Sequence, residues 1–533
     1  MSNRIYNILF HTHTISGIII SALLYIIFFT GSIAFLRDEI SAWEHNKPIE
    51  ENYFNTIDFD ESLEKLEEGQ NLYGRDITFS HRYFEREVNV SMTPSKDSTI
   101  IDQNRGRLSN YFFMDMESFE KKDYQSNYSL GEFFYRLHFF AQLNFFGRSG
   151  YLLSGLVAFF FLFAIITGVL VHWKKIISSF YTFRPGAKWK TIWTDAHVAL
   201  GMIGLPYQFI FAVTGCYLMI GYSVMLPPVE KYLFPDEPRE VGKILNLEEK
   251  VDDLEFTYNP IKEDFSINYF AEKTLKKWPD LKLSELKIVN YGDEHMYVKL
   301  SGSPGYDESL LGQASQTYRI ADGRLIAERS INEPTSYSRG TFNLLRRLHY
   351  GDYGGYGLKL IYLVLGFVTC FVILSGVYIW LVARNKKSVS KRKRKFNNWL
   401  VTIYTSVCLS LLPITAIIFI VMKVYGESYV AATGGLRKDL IYEVFFWGWL
   451  VLSVLFTIKH DNYFTNKFCL ILGSFFGILV PIANGIMTGN WIWVSLSKGY
   501  TQIFVVDIFW ILLSITAFIA VLRIKKKRSL RPA

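Results

Sequence analysis

The chain has 533 residues, half of them hydrophobic and 17% aromatic, with a formal net charge of +8. That length would allow three or four soluble domains, but the apolar residues come in long uncharged blocks, which excludes an ordinary soluble chain. The positive charge falls in short segments between those blocks, so it reports orientation in a membrane and does not point to nucleic acid.

A helix of about 20 apolar residues crosses a hydrocarbon core of ~30 Å, and eight stretches qualify. The first, 9–36, is too long for a signal peptide, lacks a small-residue cleavage site and is followed by Arg37, Asp38 and Glu39. It is expected to be a retained helix within residues 1–36. Residues 37–137 form a polar loop with a period-2 run at Glu87–Met92. Residues 138–226 hold the second and third stretches, 150–173 and 197–226, joined by a basic segment at 174–190 with Lys174, Lys175, Arg184, Lys188 and Lys190. A second polar loop, 227–345, carries a strand pattern at Met296–Leu300 and two short strands within Gln316–Ala327 joined at Asp322-Gly323. Each loop is expected to be a small α+β module. The fourth stretch, 357–383, lies in 346–385, followed by a basic linker at 386–398. Residues 399–533 form a four-helix extension with stretches at 399–422, 440–458, 468–488 and 503–522, then a tail with Arg523, Lys525, Lys526, Lys527, Arg528 and Arg531.

The basic segments fall on alternate sides of the helix count. The positive-inside rule therefore places them and both termini in the cytoplasm, and the two polar loops in the periplasm. The expected location is the bacterial inner membrane, with lipid as a partner. The 174–190 segment could also dock a soluble partner, although topology alone accounts for its charge. The four cysteines, Cys216, Cys370, Cys408 and Cys469, all lie in predicted helices and form no CxxC or CxxCH pair. They are expected to pack as small hydrophobes, without a disulfide, an iron–sulfur site or covalent haem attachment.

The first four stretches contain an internal repeat. His13 is followed at +4, +17 and +18 by Gly17, Thr30 and Gly31, and His197 by Gly201, Thr214 and Gly215 at the same offsets. The second and fourth stretches show a looser version. Leu137-His138 precedes Gly147 and Thr167-Gly168, and Leu348-His349 precedes Gly357 and Ser375-Gly376. The core is a duplicated two-helix unit.

An ionisable residue at membrane depth is costly, and two readings compete for such a histidine: a hydrogen bond between helices, or a functional site. The repeat favours the second. His13 and His197 stand at one depth, and His138 and His349 both stand on the opposite side. One pair per membrane face is what bis-histidine haem ligation requires. A glycine four residues on shares the histidine's helix face and would let a flat macrocycle approach the backbone. An unbroken helix from His138 to Trp173 would be ~54 Å long, so Gly147 and Gly150 are expected to break it. Gly351, Gly354, Gly355 and Gly357 are expected to do the same after His349. No strand precedes that run, so it is not a dinucleotide site. His172, beside Trp173, is an alternative or extra ligand. His11 lies roughly 200° round the helix from His13 and is read as interfacial, with ligation as its alternative.

At these residues the sequence resembles the PepSY-associated transmembrane-helix family, which includes iron-regulated membrane proteins and ferric-siderophore reductases. The resemblance rests on "HTISG…FTGSIAFLRDE", "RLHFFAQLNFFGRSG…TGVLVHW", "DAHVALG…VTG" and "RLHYGDYGGYGLK…LSGVYIW", in order over about residues 5–385. It implies PepSY-like modules in the two loops and b-type haems, two of them, held by His13, His197, His138 and His349. It also implies release of iron from a ferric siderophore. His172 stands where the family more often has an aromatic residue, which leaves the ligand pair of the inner haem open.

The expected fold is thus a polytopic α-helical membrane protein with a duplicated four-helix haem-binding core, a four-helix extension and two periplasmic modules. The expected activity is that of a ferric-siderophore reductase, an oxidoreductase moving electrons across the bilayer. With no Rossmann or flavin motif, its electron donor must be quinol or a separate flavoprotein. The alternative is a non-redox PepSY membrane protein that binds or regulates an extracytoplasmic protein. A transporter would call for acidic residues inside the core helices, which have almost none. Pro413, Glu427, Lys459 and Asp507 are the extension residues that invite inspection.

Overall fold

The computed structural model describes residues 2–48, 52–81, 87–100, 110–173, 178, 184, 189–233, 235, 255–305 and 309–524. Among the basic residues read as topological, Lys174, Lys175, Lys188 and the tail from Lys525 to Arg531 lie outside the described residues. Among the described residues, eight helices are long and apolar enough to cross a membrane. In chain order, spans one to four are Asn3–Ala34, Ser149–His172, Leu205–Leu233 and Asp352–Arg384. Spans five to eight are Lys391–Thr433, Arg437–Lys459, Asn462–Thr488 and Thr501–Arg523. The chain is a polytopic helical membrane protein.

Small residues set the closest helix approaches, as expected where no water drives helices together. A Cβ on Gly366 of span four would lie 2.1 Å from Ser32 Oγ of span one, and one on Gly473 of span seven 2.5 Å from Leu412 Cγ of span five. The third stretch differs from the sequence reading. His197 lies on a separate helix, Trp189–Ile203, which Gly204 and the following Leu205-Pro206 divide from span three.

His138 also sits on a helix of its own, Leu130–His138. The chain leaves it through Phe140 in the left-handed region, a 3-10 turn at Ala141–Leu143 and Gly147 at φ +61°, and restarts as span two at Ser149. A Cβ on Gly150 would fall 1.9 Å from the carbonyl oxygen of Phe140, so the reversal needs a glycine there. His349 is the penultimate residue of a second such helix, Tyr337–Tyr350, before Gly351 and Gly355 at φ +63° and +57°.

The chain divides into two compact units. One comprises Met1–Asn46, Ser129–Leu233 and Leu348–Ala533; the other Lys47–Tyr128 and Phe234–Arg347. The second unit departs from the expectation of one module per loop, because both loops build a single antiparallel sheet. Its strands are β1 (Ile77–Ser80), β2 (Glu87–Met92), β3 (Asn110–Asp115), β4 (Lys121–Lys122), β5 (Lys282–Val289), β6 (Tyr297–Ser303), β7 (Ala314–Arg319) and β8 (Leu325–Arg329), in the order β4-β3-β2-β1-β5-β6-β7-β8. The loops meet at β1 and β5, with Phe79 opposite Leu286 and Ile77 opposite Ile288. Their apolar faces form one core that includes Phe79, Val88, Val90, Leu286, Val298 and Leu300. Two helices, Phe59–Glu67 and Ile267–Lys277, cap each other across the loops. Asp60 accepts from Ile267 N at 2.6 Å, and Asn268 Oδ1 accepts from Phe59 N at 2.8 Å. β7 and β8 turn at Asp322-Gly323 as expected, with Gly323 at φ +66°.

Candidate functional site: two histidine pairs

The four repeat histidines come together as two pairs. The rings of His13 and His197 have centroids 6.3 Å apart, and those of His138 and His349 5.9 Å apart. Both pairs join one half of the repeat to the other.

Each histidine is also tied to the Thr-Gly or Ser-Gly step of its own two-helix unit. His13 Nδ1 bonds Ala164 O at 2.8 Å, three residues before Thr167, and His138 Nδ1 bonds Ile27 O at 2.8 Å, three before Thr30. In the second unit, His197 Nδ1 bonds Val372 O at 2.9 Å, three before Ser375, and Ser375 Oγ stands 3.0 Å from the same nitrogen. His349 Nδ1 lies 2.7 Å from Thr214 Oγ1, whose hydrogen points to Ile210 O at 2.7 Å. The docking is reciprocal: spans one and two each receive the histidine of the other's half, as do spans three and four.

In three of the four steps the glycine makes room for the ring, while a Cβ on Gly215 would meet Ala158 Cβ at 3.4 Å. A Cβ on Gly31 would lie 2.5 Å from His138 Nδ1, one on Gly168 3.1 Å from His13 Cε1, and one on Gly376 3.2 Å from His197 Cε1. The +18 glycine of span one therefore serves the histidine of its partner helix. Ile27 is fourteen residues beyond His13, about 21 Å along a helix axis, so the two pairs lie at well-separated depths.

These bonds decide the tautomers. A carbonyl oxygen only accepts, so Nδ1 of His13, His138 and His197 carries the proton; Thr214 Oγ1, having spent its hydrogen on Ile210, accepts from His349 in the same way. In all four rings Nε2 is left with its lone pair, the form in which imidazole binds a metal, with the orienting bond on the other nitrogen that metal-bound histidines ordinarily show.

Space is distributed to match. A Cβ on Gly17, four residues after His13, would meet nothing within 4 Å, and one on Gly201 only Val372 Cγ1 at 3.9 Å. His172 is the last residue of span two, eight residues on from the Ala164 that holds His13. His11 is exposed against Phe10 at 5.8 Å, away from the pair. Arg184 of the basic segment is tied to Asp195, two residues before His197, at 2.9 and 3.0 Å. All four cysteines are free thiols.

A family model for the PepSY-associated TM region matches residues 10–383. The chain belongs to the PepSY-associated TM family. The match ends with span four, so spans five to eight lie beyond the part that carries the family pattern. Among curated proteins, an uncharacterised protein of Pseudomonas aeruginosa is 25% identical over 252 residues, 45% of this chain and 61% of the relative. The chain therefore spans about three fifths of that relative's length. Both histidine pairs fall inside the PepSY-associated TM match.

Residue-by-residue reading of the extension found only part of what is buried there. Asp507 is fully buried and accepts from Trp43 Nε1 at 2.8 Å and Asn484 Nδ2 at 2.9 Å. Glu427 reaches solvent and pairs with Arg437, Lys459 is exposed, and Pro413 lies in the first turn after Ser410. Lys423 was missed, although a lone lysine in the run "IIFIVMKVYG" was the available signal. Its ammonium donates to Trp43 O and sits 4.3 Å above the Trp43 ring centroid.

Proposed function

We propose that the chain is a transmembrane electron conduit that reduces a ferric chelate, such as siderophore-bound iron, on the periplasmic side of the bacterial inner membrane. In this reading two b-type haems are held, one between His13 and His197 and one between His138 and His349. The observation that carries it is the pairing itself: two neighbouring imidazoles per site, each held through Nδ1 with the Nε2 lone pair left over. Centroid separations of 6.3 and 5.9 Å would leave room for one metal ion between the two rings of each pair. Among the described residues no group of three or more His, Cys, Asp or Glu could hold a metal ion. A porphyrin would supply the four ligands that a pair of imidazoles lacks.

When bound, the haem supplies reversible one-electron chemistry, so that two electrons from a quinol or a flavoprotein would leave singly, each reducing one ferric ion to ferrous. The protein's residues do the rest. The Nδ1 bonds fix ring orientation and raise ligand basicity, the apolar spans exclude water, and Gly17 and Gly201 leave the adjoining backbone uncovered. His172 is the further nitrogen base beside the pair at His13.

The test is a dithionite-reduced minus oxidised visible spectrum of purified protein, with haem counted per chain. Two haems per chain with a b-type α-band are expected, and alanine at His13, His138, His197 or His349 should each remove about one. Protein that stays colourless when expressed with ample haem would refute the conduit.

A further inference from the structure

Spans five to eight lie beyond the family match, yet they grip the short helix that ends in His138. The helix Arg37–His45 follows span one, and its Glu44 side chain is fully buried. One Glu44 oxygen accepts from Leu130 N at 2.6 Å, at the first residue of the His138 helix; the other pairs with Arg437 of span six at 2.5 Å. A carboxylate there also complements the positive end of the helix dipole. One turn along the same helix, Phe133 and Phe134 are fully buried. Phe133 meets Phe445 of span six at 4.8 Å, and Phe134 meets Phe419 of span five at 6.1 Å. The opposite side is pressed against Arg37–His45, where a Cβ on Gly131 would lie 2.2 Å from Arg37 O. That helix is itself pinned to the extension by Trp43 on Asp507 and by Lys423 on Trp43 O.

We propose that the four-helix extension is a positioning frame for His138, with Glu44 and Arg437 as positioning residues acting on the imidazole through the Leu130–His138 helix. His13, His197 and His349 dock on spans one to four; the short helix that carries His138 is held in addition by spans five and six, whereas span one receives Tyr404 of span five on Ile18 O at 3.2 Å. The pair with His349 is thereby tuned separately from the pair at His13. The consequence for a cofactor rests on the conduit reading, while the clamp on the helix does not.

The experiment uses the full chain with Arg437→Ala, Glu44→Gln, Phe445→Leu and, as a control at an exposed position, Lys459→Ala. Glu44→Gln still accepts from Leu130 N but drops the charge, so it should fold if Arg437→Ala does not. Two readouts are taken: hydrogen exchange of residues 130–138 against 149–172, and a redox titration with paramagnetic resonance that resolves the two haems. In Arg437→Ala, amides of 130–138 should exchange at least about tenfold faster, and one haem should shift in potential and resonance signature while the other stays put. Glu44→Gln and Phe445→Leu should show smaller effects of the same kind, and Lys459→Ala none. Unchanged protection of 130–138, or both haems shifting together, would overturn the frame. If the wild type holds no haem, the conduit falls by itself and the exchange readout alone decides the frame.

Discussion

Two glycines four turns apart on span one have opposite jobs, and that contrast gives a test at single-residue scale. Gly31 is in contact with an imidazole, whereas Gly17 faces open space. In an ordinary exposed helix either glycine would gain up to about 1 kcal/mol on replacement by alanine. At Gly31 the added methyl must displace the His138 ring, so Gly31→Ala should cost the haem of the His138–His349 pair while the other remains. Gly17→Leu projects from a position where an added Cβ meets nothing within 4 Å; it should leave the melting temperature unchanged and cost the haem of the His13–His197 pair. Haem per chain and a thermal melt read both. Retention of two haems by Gly17→Leu would show that no macrocycle lies against that backbone. The histidines and their glycines were legible in the sequence because identical offsets recur in two places. What each glycine touches was not, because Gly31 and His138 are far apart in the chain and periodicity reports a face, not a neighbour. Glu44 was illegible for the same reason: at position 44 it reads as an exposed loop acid, and only Arg437 and Leu130 explain its burial.

At the scale of elements, the loop strands show where pattern suffices and where it stops. Glu87–Met92 is β2 as read, and the Asp322-Gly323 turn joins β7 to β8. Alternation, however, says which side of a strand is buried and nothing about which strand lies beside it. The pairing of β1 with β5 was therefore invisible, and two modules were expected where one sheet forms. The helix caps offer the corresponding test. Asp60 caps a helix of the other loop, so Asp60→Ala should destabilise Ile267–Lys277 by about 1–2 kcal/mol, read as faster exchange in 267–277. Acid should loosen the same unit at β3. Burial pushes the Asp115 carboxyl up, but Lys47 at 2.6 Å and the N–H groups of Ser118 and Glu117 outweigh it and hold it at about 2. With a folded value below the ordinary 3.8, this carboxylate favours the fold above about pH 4, and its contribution is lost as pH falls toward 2. Limited proteolysis near residues 110–122 should accelerate over that window, and Asp115→Asn should flatten the dependence.

For the molecule as a whole, the duplication is closed twice: once by the histidine pairs, each taking one ring from each repeat, and once by the sheet, which takes β1 to β4 from the first loop and β5 to β8 from the second. Neither closure can form within a single repeat, so the two halves should fold as one cooperative system. Leu286 tests this at the seam. It is fully buried within the apolar core and stands opposite Phe79 of the first loop and Leu300 of its own. A buried unpaired charge costs several kcal/mol, so Leu286→Asp should destabilise the sheet by about 3 kcal/mol or more. If the sheet is one unit, hydrogen exchange should rise in β1 and β2, some two hundred residues away in sequence, as strongly as in β5 and β6. If each loop were a module of its own, only residues 282–329 would open while 77–92 stayed protected. That result would return the sheet to two independent halves and leave the repeats joined by the histidine pairs and by the packing of span four on span one.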